Sequence, residues 1–130
     1  MKLKIYNSDN TNISHKGKKT IRIHKKGGLF SFSKSAQEMI GIIKGSRIDI
    51  AQDEESPRDF YIHKTSDPSG FHIHSKFDNL GATFNSAKLA DLILDGKPYK
   101  SVSFQIGTEQ LFDGIPYHLI IVNKPLAIRD

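Results

Sequence analysis

Residues 19–64 read KTIRIHKKGGLFSFSKSAQEMIGIIKGSRIDIAQDEESPRDFYIHK, and this stretch decides the predicted fold. Four short segments alternate apolar and polar side chains, which is the period of a half-buried strand. Between the second and the third lies a segment with apolar residues at helical spacing. The predicted elements are two strands, a helix and two strands, at residues 20–24, 29–32, 34–40, 47–51 and 60–63. The stretch therefore predicts a ββαββ unit.

Glycines and a capping residue mark the boundaries of these elements. Gly27 and Gly28 supply the positive φ that a tight hairpin needs between the first two strands. Ser33 stands at the N-cap position of the predicted helix, and Gly41 stands at its C-cap position. The residue types at the boundaries therefore agree with the pattern inside the elements.

A looser copy of the same order begins at residue 71. Its predicted strands and helix lie at residues 71–76, 81–85, 86–94, 102–106 and 117–122. Asn85 takes the cap position of this second helix, and Leu89, Leu92 and Ile93 form its apolar stripe. The order of elements repeats, although few residues are identical between the copies.

The repeat leads to a prediction of the whole fold. A single ββαββ unit cannot cover its own apolar face, so two copies are expected to share one core. We predict a β-rich α+β fold in which units 19–66 and 71–124 form one compact, pseudo-symmetric barrel. Residues 1–18 are polar and basic, and we expect them to form an N-terminal arm or an edge segment.

Charge is unevenly distributed along the chain. The first 34 residues contain nine lysines and arginines and one acid, whereas the remainder carries a net charge of −3. A one-sided positive charge attracts polyanions and steers their approach, although it is also typical of a solvated basic tail.

Cysteine usage and hydropathy bear on the compartment. The chain has no cysteine, which excludes disulfides, thiolate metal sites and a cysteine nucleophile. No run approaches the roughly 18 apolar residues of a membrane span, and the first residues lack the apolar segment of a signal peptide. We expect a cytoplasmic protein with no membrane partner.

The run from Lys25 to Ile48 resembles the AbrB/MazE/SpoVT family of swapped-hairpin domains. Gly28, the Ile40-Gly41-Ile42 step and Gly45 hold places typical of that family, with Ser46 where Asp is usual. In that family two ββαββ units, usually from two chains, interlock into a small barrel that binds duplex DNA. The resemblance implies a DNA-binding regulator in which one chain supplies both units.

The resemblance also implies a binding surface. In the family, basic side chains of the first strand, the turn and the helix contact DNA, and Arg22 matches a DNA-contacting arginine. Other cations lie nearby in the sequence. The residues predicted to contact nucleic acid are Lys18, Lys19, Arg22, Lys25, Lys26 and Lys34.

A second interpretation stays open beside nucleic-acid binding. The helix positions that often carry paired arginines in the family are Gln37 and Glu38 here. These residues favour a protein-interaction or scaffold module on the same barrel, with an antitoxin-like or phage-like partner or self-association and no DNA binding.

Enzyme and metal chemistry have little support in the sequence. His72 and His74 are two apart on a predicted strand and point to one face, which is compatible with a metal but lacks a third ligand at fixed spacing. Phosphate-binding, serine-hydrolase and zinc-protease motifs are missing from the sequence, as are the paired Asp-Thr-Gly or Asp-Ser-Gly motifs of aspartic peptidases. We predict no catalytic residue, no metal and no cofactor.

Overall fold

A computed structural model of the chain describes residues 1–3, 17–43, 45–74 and 82–130. Its helices are α1 (Lys34–Ile40) and α2 (Ala87–Leu94), and a 3-10 turn covers Lys26–Gly28. Its strands are β1 (Thr20–His24), β2 (Leu29–Phe32), β3 (Arg47–Gln52), β4 (Phe60–Thr65), β5 (Phe71–His72), β6 (Thr83–Asn85), β7 (Ser101–Phe112), β8 (Ile115–Ile121) and β9 (Ala127–Arg129). Most of the predicted N-terminal arm falls on residues outside this description.

The strands form one antiparallel, barrel-like sheet. Their order is β5-β3-β4-β8-β7-β1-β2-β6, and β9 pairs with β7. The two ends of this order meet where His74 and Thr83 exchange backbone hydrogen bonds of 2.7 and 2.8 Å. The barrel is therefore nearly closed, which leaves few unpaired edges among the described strands.

The inner face of the barrel forms the hydrophobic core. Alternation places Ile21, Ile23, Phe30 and Phe32 inward, and all four are buried. Phe84 of β6 stacks on Phe30 with ring centroids 4.5 Å apart. The first hairpin and the second half of the chain thus share one core.

The predicted caps of α1 are confirmed. Ser33 Oγ accepts the backbone N–H of Ala36 at 3.2 Å, so it satisfies a donor that the first turn of the helix leaves free. Gly41 ends the helix in the left-handed region at φ 82°, and its N–H donates to the carbonyl of Gln37. A glycine suits this position because it lacks a Cβ.

The second helix differs from its prediction by one residue. Ser86, and not Asn85, is the N-cap, because its Oγ accepts the N–H of Leu89 at 3.2 Å. Asn85 instead donates from its side chain to the carbonyl of Gly27 at 3.3 Å. Leu92 was predicted on the apolar stripe, but it is 48% exposed.

The last strands also differ from the prediction. β7 is 12 residues long and is much longer than the predicted segment. It pairs with β1 and β9 near its start and with β8 further along. β9 lies beyond the second predicted unit, which ends at residue 124.

The turn between β1 and β2 packs directly on the start of α2. The backbone N–H of Ser86 donates to the carbonyl of Gly28 at 2.9 Å. A Cβ on Gly28 would clash with the backbone of Ala87, and Gly28 has a φ of 59°. The turn therefore requires glycine at this position both for its conformation and for its close approach to α2.

Candidate functional site

The six predicted cations lie along β1 and beside its two ends. Lys25 and Lys26 follow β1, and Arg22 lies on its outer face between the inward-facing Ile21 and Ile23. The remaining three, Lys18, Lys19 and Lys34, lie at the start of β1 or just beyond it. A five-residue strand spans about 17 Å, so the six cations do not form a single tight cluster.

Three basic residues from distant parts of the chain meet where β1 ends. The backbone N–H of Lys25 donates to the carbonyl of Lys100 at 2.9 Å, and the N–H of Lys100 donates to the carbonyl of Arg129 at 2.7 Å. One residue earlier in β1, His24 pairs with Ser101, and Ser101 also pairs with Arg129. The sheet therefore places the three cations on neighbouring segments.

These residues line a cleft of about 730 Å³, which we call the basic cleft. Its cations are Lys25, Lys26, Lys100 and Arg129. Its other lining residues are His24, Leu29, Pro98, Tyr99 and Ser101. None of the described residues that line it is acidic. The cleft thus combines concentrated positive charge with an apolar and aromatic wall.

Burial and nearby positive charge both affect the pKa of His24. Burial lowers the pKa of His24 below its usual 6.5, and the charges of Arg22 and Arg129 lower it further. Both effects disfavour the imidazolium form. An anion bound in the cleft would offset the two arginine charges and would raise this pKa.

Arg22 is held against the outer face of the sheet. Its Nη2 donates to the Oγ of Ser101 at 3.0 Å, while its Nε is buried without a hydrogen-bond partner among the described residues. Arg22 also lines a smaller depression of about 270 Å³ with Ser31 and Ser103. It therefore links Ser101 of the basic cleft to this neighbouring depression.

Ser33 organises the other end of β1. Its Oγ accepts the N–H of Thr20 at 3.0 Å and donates to the carbonyl of Lys18 at 2.9 Å. Lys34 follows Ser33 directly, so Lys18 and Lys34 lie near the same hydroxyl. The carbonyl of Lys19 accepts the N–H of Ile106 at 2.8 Å, which fixes this end of the strand to β7.

Sequence reasoning did not identify Lys100, Tyr99 or Arg129 as site residues. Lys100 and Tyr99 directly precede β7, and Arg129 ends a strand that was not predicted. Knowledge of the β1–β7 and β7–β9 pairings would have revealed Lys100 and Arg129. Hydrophobic alternation identifies strands but does not name their partners.

The candidate metal ligands remain a pair. The rings of His72 and His74 lie 4.7 Å apart, and both residues are exposed. Within the described ranges, no group of three or more His, Cys, Asp or Glu side chains is arranged to hold a metal ion.

A second notable surface lies at the turn between β7 and β8. Leu111, Phe112 and Ile115 are 65%, 46% and 40% exposed. The rings of Tyr61 and Tyr117 each contact Phe112 edge-on, with centroids 5.5 Å apart in both pairs. We call these five residues the apolar tip.

Acidic groups adjoin the apolar tip. Burial raises the pKa of Tyr61, and the carboxylates of Asp59 and Asp53 raise it further. Asp53 also lines a depression of about 320 Å³ together with Tyr61 and Phe112. The apolar tip thus has an acidic border, whereas the basic cleft has a cationic one.

Comparison with family models, with curated proteins and with solved structures gives no significant match to this chain. Among the helices of the described residues, none is long and apolar enough to cross a lipid bilayer.

Proposed function

We propose that this protein binds nucleic acid through a basic surface that follows β1 and ends in the basic cleft. The observation that carries the proposal is the row formed by Lys25, Lys100 and Arg129, whose backbones are joined by hydrogen bonds of 2.9 and 2.7 Å. Like charges repel, so a fold that gathers cations without a lining acid is suited to an anionic ligand. Phosphate supplies such charge at regular intervals along a nucleic acid.

The residues of this surface have separate tasks. Lysines of the cleft act as point charges toward phosphate, whereas Arg129 offers a planar fork that suits two phosphate oxygens. Arg22 lies beside this row, in the adjacent depression, and donates a hydrogen bond to Ser101 of the cleft. The residues proposed to contact phosphate are Lys18, Lys19, Arg22, Lys25, Lys26 and Lys34 from the sequence and Lys100 and Arg129 from the structure. Such contacts give affinity with little sequence preference.

We also infer that the chain is built from two interlocked ββαββ repeats, as in the swapped-hairpin family that its sequence resembles. The strand pairings support this repeat when β1, β2, β3 and β4 are taken as equivalent to β5, β6, β7 and β8. The pairing β1–β7 then becomes β5–β3, β3–β4 becomes β7–β8, and β2–β6 and β4–β8 map onto themselves. All of these pairings are present among the described strands. In addition, β1–β2 maps onto the bridged ends of β5 and β6.

A titration with labelled oligonucleotides tests nucleic-acid binding. Wild-type protein is titrated into duplex and single-stranded oligonucleotides at about 50 and 200 mM salt, a range over which phosphate contacts lose much of their affinity. We expect binding at low salt that weakens strongly at high salt. Lys64→Gln removes one positive charge three strands away from β1 and serves as the control. Absence of binding at the lower salt concentration would rule the function out.

A protein-interaction module is the second candidate, and the apolar tip favours it. Exposed Leu111 and Phe112 beside Asp53 suit a partner segment with apolar side chains and flanking basic residues. In this case Phe112→Ser abolishes a purified complex, and charge reversal at Arg22, Lys25 and Lys26 leaves nucleic-acid affinity unchanged. A loss of nucleic-acid affinity on charge reversal favours the first candidate.

A further inference from the structure

We infer that the basic cleft accepts one unpaired nucleotide of a single strand, with its base against Tyr99 and its phosphate on Lys25, Lys100 and Arg129. The inference rests on the proposed nucleic-acid function and adds the form of nucleic acid that the site selects.

The shape of the site favours an unpaired nucleotide. A cleft of about 730 Å³ falls within the usual range for sites that enclose a small ligand. A duplex keeps its bases stacked inside and presents phosphates on a convex outer surface. It can place a base in a cleft only if that nucleotide is flipped out of the stack, which costs free energy. An unpaired nucleotide enters without this cost.

The walls of the cleft offer an aromatic and apolar surface to a base. Tyr99 is half-buried, packs against the hydrophobic core and also lines the cleft. Packing against the core limits the movement of this side chain, which also lines a second depression beside the cleft. Pro98 and Leu29 line the same cleft and add apolar surface. Sites that bind single strands combine an aromatic side chain for stacking with cations for the backbone.

Polar groups also line the cleft. Ser101 is only 3% exposed and lines the cleft. Its Oγ accepts a hydrogen bond from Arg22, so its own proton remains available to a ligand. His24 is its register partner and lines the same cleft. These groups match the edge of a base or the hydroxyl of a sugar.

The test compares oligonucleotides of equal length in fluorescence anisotropy titrations. We expect a single strand to bind at least about tenfold more tightly than a blunt duplex, because only the single strand places a base on Tyr99. A duplex with a single-stranded overhang should approach the affinity of the single strand. Equal affinities for single strand and blunt duplex would overturn the inference while leaving the proposed function intact. Failure of every oligonucleotide to bind would instead remove the proposed function.

Substitutions at Tyr99 supply the second arm of the test. Tyr99→Leu should lower single-strand affinity about tenfold and leave duplex affinity unchanged, whereas Tyr99→Phe should retain both affinities. Tyr117→Leu, which removes a tyrosine from the apolar tip, is the matched control. If Tyr99→Leu weakens both forms equally, the base does not occupy the cleft.

Two measurements on wild-type protein test the inference without any substitution. A fluorescent adenine analogue within the single strand should change its emission on binding, because stacking on an aromatic ring alters its environment. An unchanged emission for every position of the analogue contradicts the inference. A free mononucleotide should compete only weakly, since it lacks the neighbouring phosphates. Competition as strong as that of the oligonucleotide would assign the cleft to small nucleotides and overturn the single-strand assignment.

Discussion

The backbone N–H of Lys25 donates to the backbone carbonyl of Lys100 at 2.9 Å, so two lysines far apart in the sequence lie side by side at the end of β1. The bond extends the pairing of β1 with β7 by one residue beyond His24 and Ser101. The arrangement of the main chain thus keeps like charges together. The cations of the basic cleft therefore repel one another in the free protein. This repulsion costs free energy, and a bound anion would reduce that cost.

This cost gives a prediction about stability. Lys100→Gln should stabilise the free protein by about 0.5 kcal/mol at low salt, because it removes one of several neighbouring like charges. The gain should shrink at high salt, since salt screens exposed charges. Urea unfolding at two salt concentrations measures it. A loss of stability at low salt would contradict the proposed repulsion.

The lowered pKa of His24 predicts proton uptake on ligand binding. Free His24 titrates below 6.5 because of burial and the charges of Arg22 and Arg129, and bound phosphate should raise its pKa. The complex then binds more protons than the free protein, so affinity should increase as the pH falls toward and below 6.5. His24→Gln should flatten this dependence. The test is to measure the affinities of wild type and His24→Gln between about pH 5 and 8. Parallel pH profiles for the two proteins would contradict the prediction.

The same shift affects folding with a definite sign. The unfolded chain protonates His24 at a higher pH than the folded chain does, so stability should fall as the pH drops from 6.5 toward the lower folded pKa. His24→Gln removes this contribution. The stability of wild type relative to the variant should therefore decrease as the pH falls from 7 to below 6.5. The denaturant midpoints of the two proteins measure this change, and a difference between midpoints that stays constant with pH would contradict it.

Two adjacent glycines should respond differently to alanine. Gly27 and Gly28 both have positive φ, so each alanine costs about 1–2 kcal/mol of conformational strain. Only at Gly28 does the added Cβ also clash, and it does so with the backbone of Ala87. We expect Gly28→Ala to cost about 1–3 kcal/mol more than Gly27→Ala. Equal free energies of unfolding would show that the turn does not pack on α2 as described.

The two helix caps offer a similar comparison. Ser33 Oγ makes three hydrogen bonds, to Ala36, Thr20 and Lys18, whereas Ser86 Oγ caps only the first turn of α2 through Leu89. Ser86→Ala should cost about 1 kcal/mol, as usual for an N-cap. Ser33→Ala should cost about 1 kcal/mol more, because Thr20 N–H also loses its acceptor. Thermal and urea unfolding measure both, and a smaller cost at Ser33 would be inconsistent with its position between β1 and α1.

The first half of the fold was predictable because local signals agree there. Alternation, the paired glycines and the Ser33 cap all indicate the same boundaries, and β1, β2 and α1 lie where they were predicted. The second half has weaker signals. Two polar residues compete for the cap of α2, and propensity alone did not separate Asn85 from Ser86. Leu92 is exposed because the buried face of α2 follows Ala90 and Ile93.

The site was predictable only in part for a different reason. Lys25 and Lys26 belong to a local motif, so the sequence locates them. Lys100 and Arg129 join them through sheet pairings between distant segments, and a strand pattern does not specify its partner. A cluster made by long-range pairing is therefore visible only once the topology is known.

The most direct test of the central claim is the salt dependence of single-strand binding for wild type and for the double variant Lys25→Gln, Lys100→Gln. Each phosphate contact contributes about 0.7 to the slope of log affinity against log salt concentration for single strands. We predict that the double variant lowers the magnitude of this slope by about 1.4 relative to wild type, whereas Lys64→Gln leaves it unchanged. Identical slopes for wild type and the double variant would contradict the claim that the basic cleft holds phosphate.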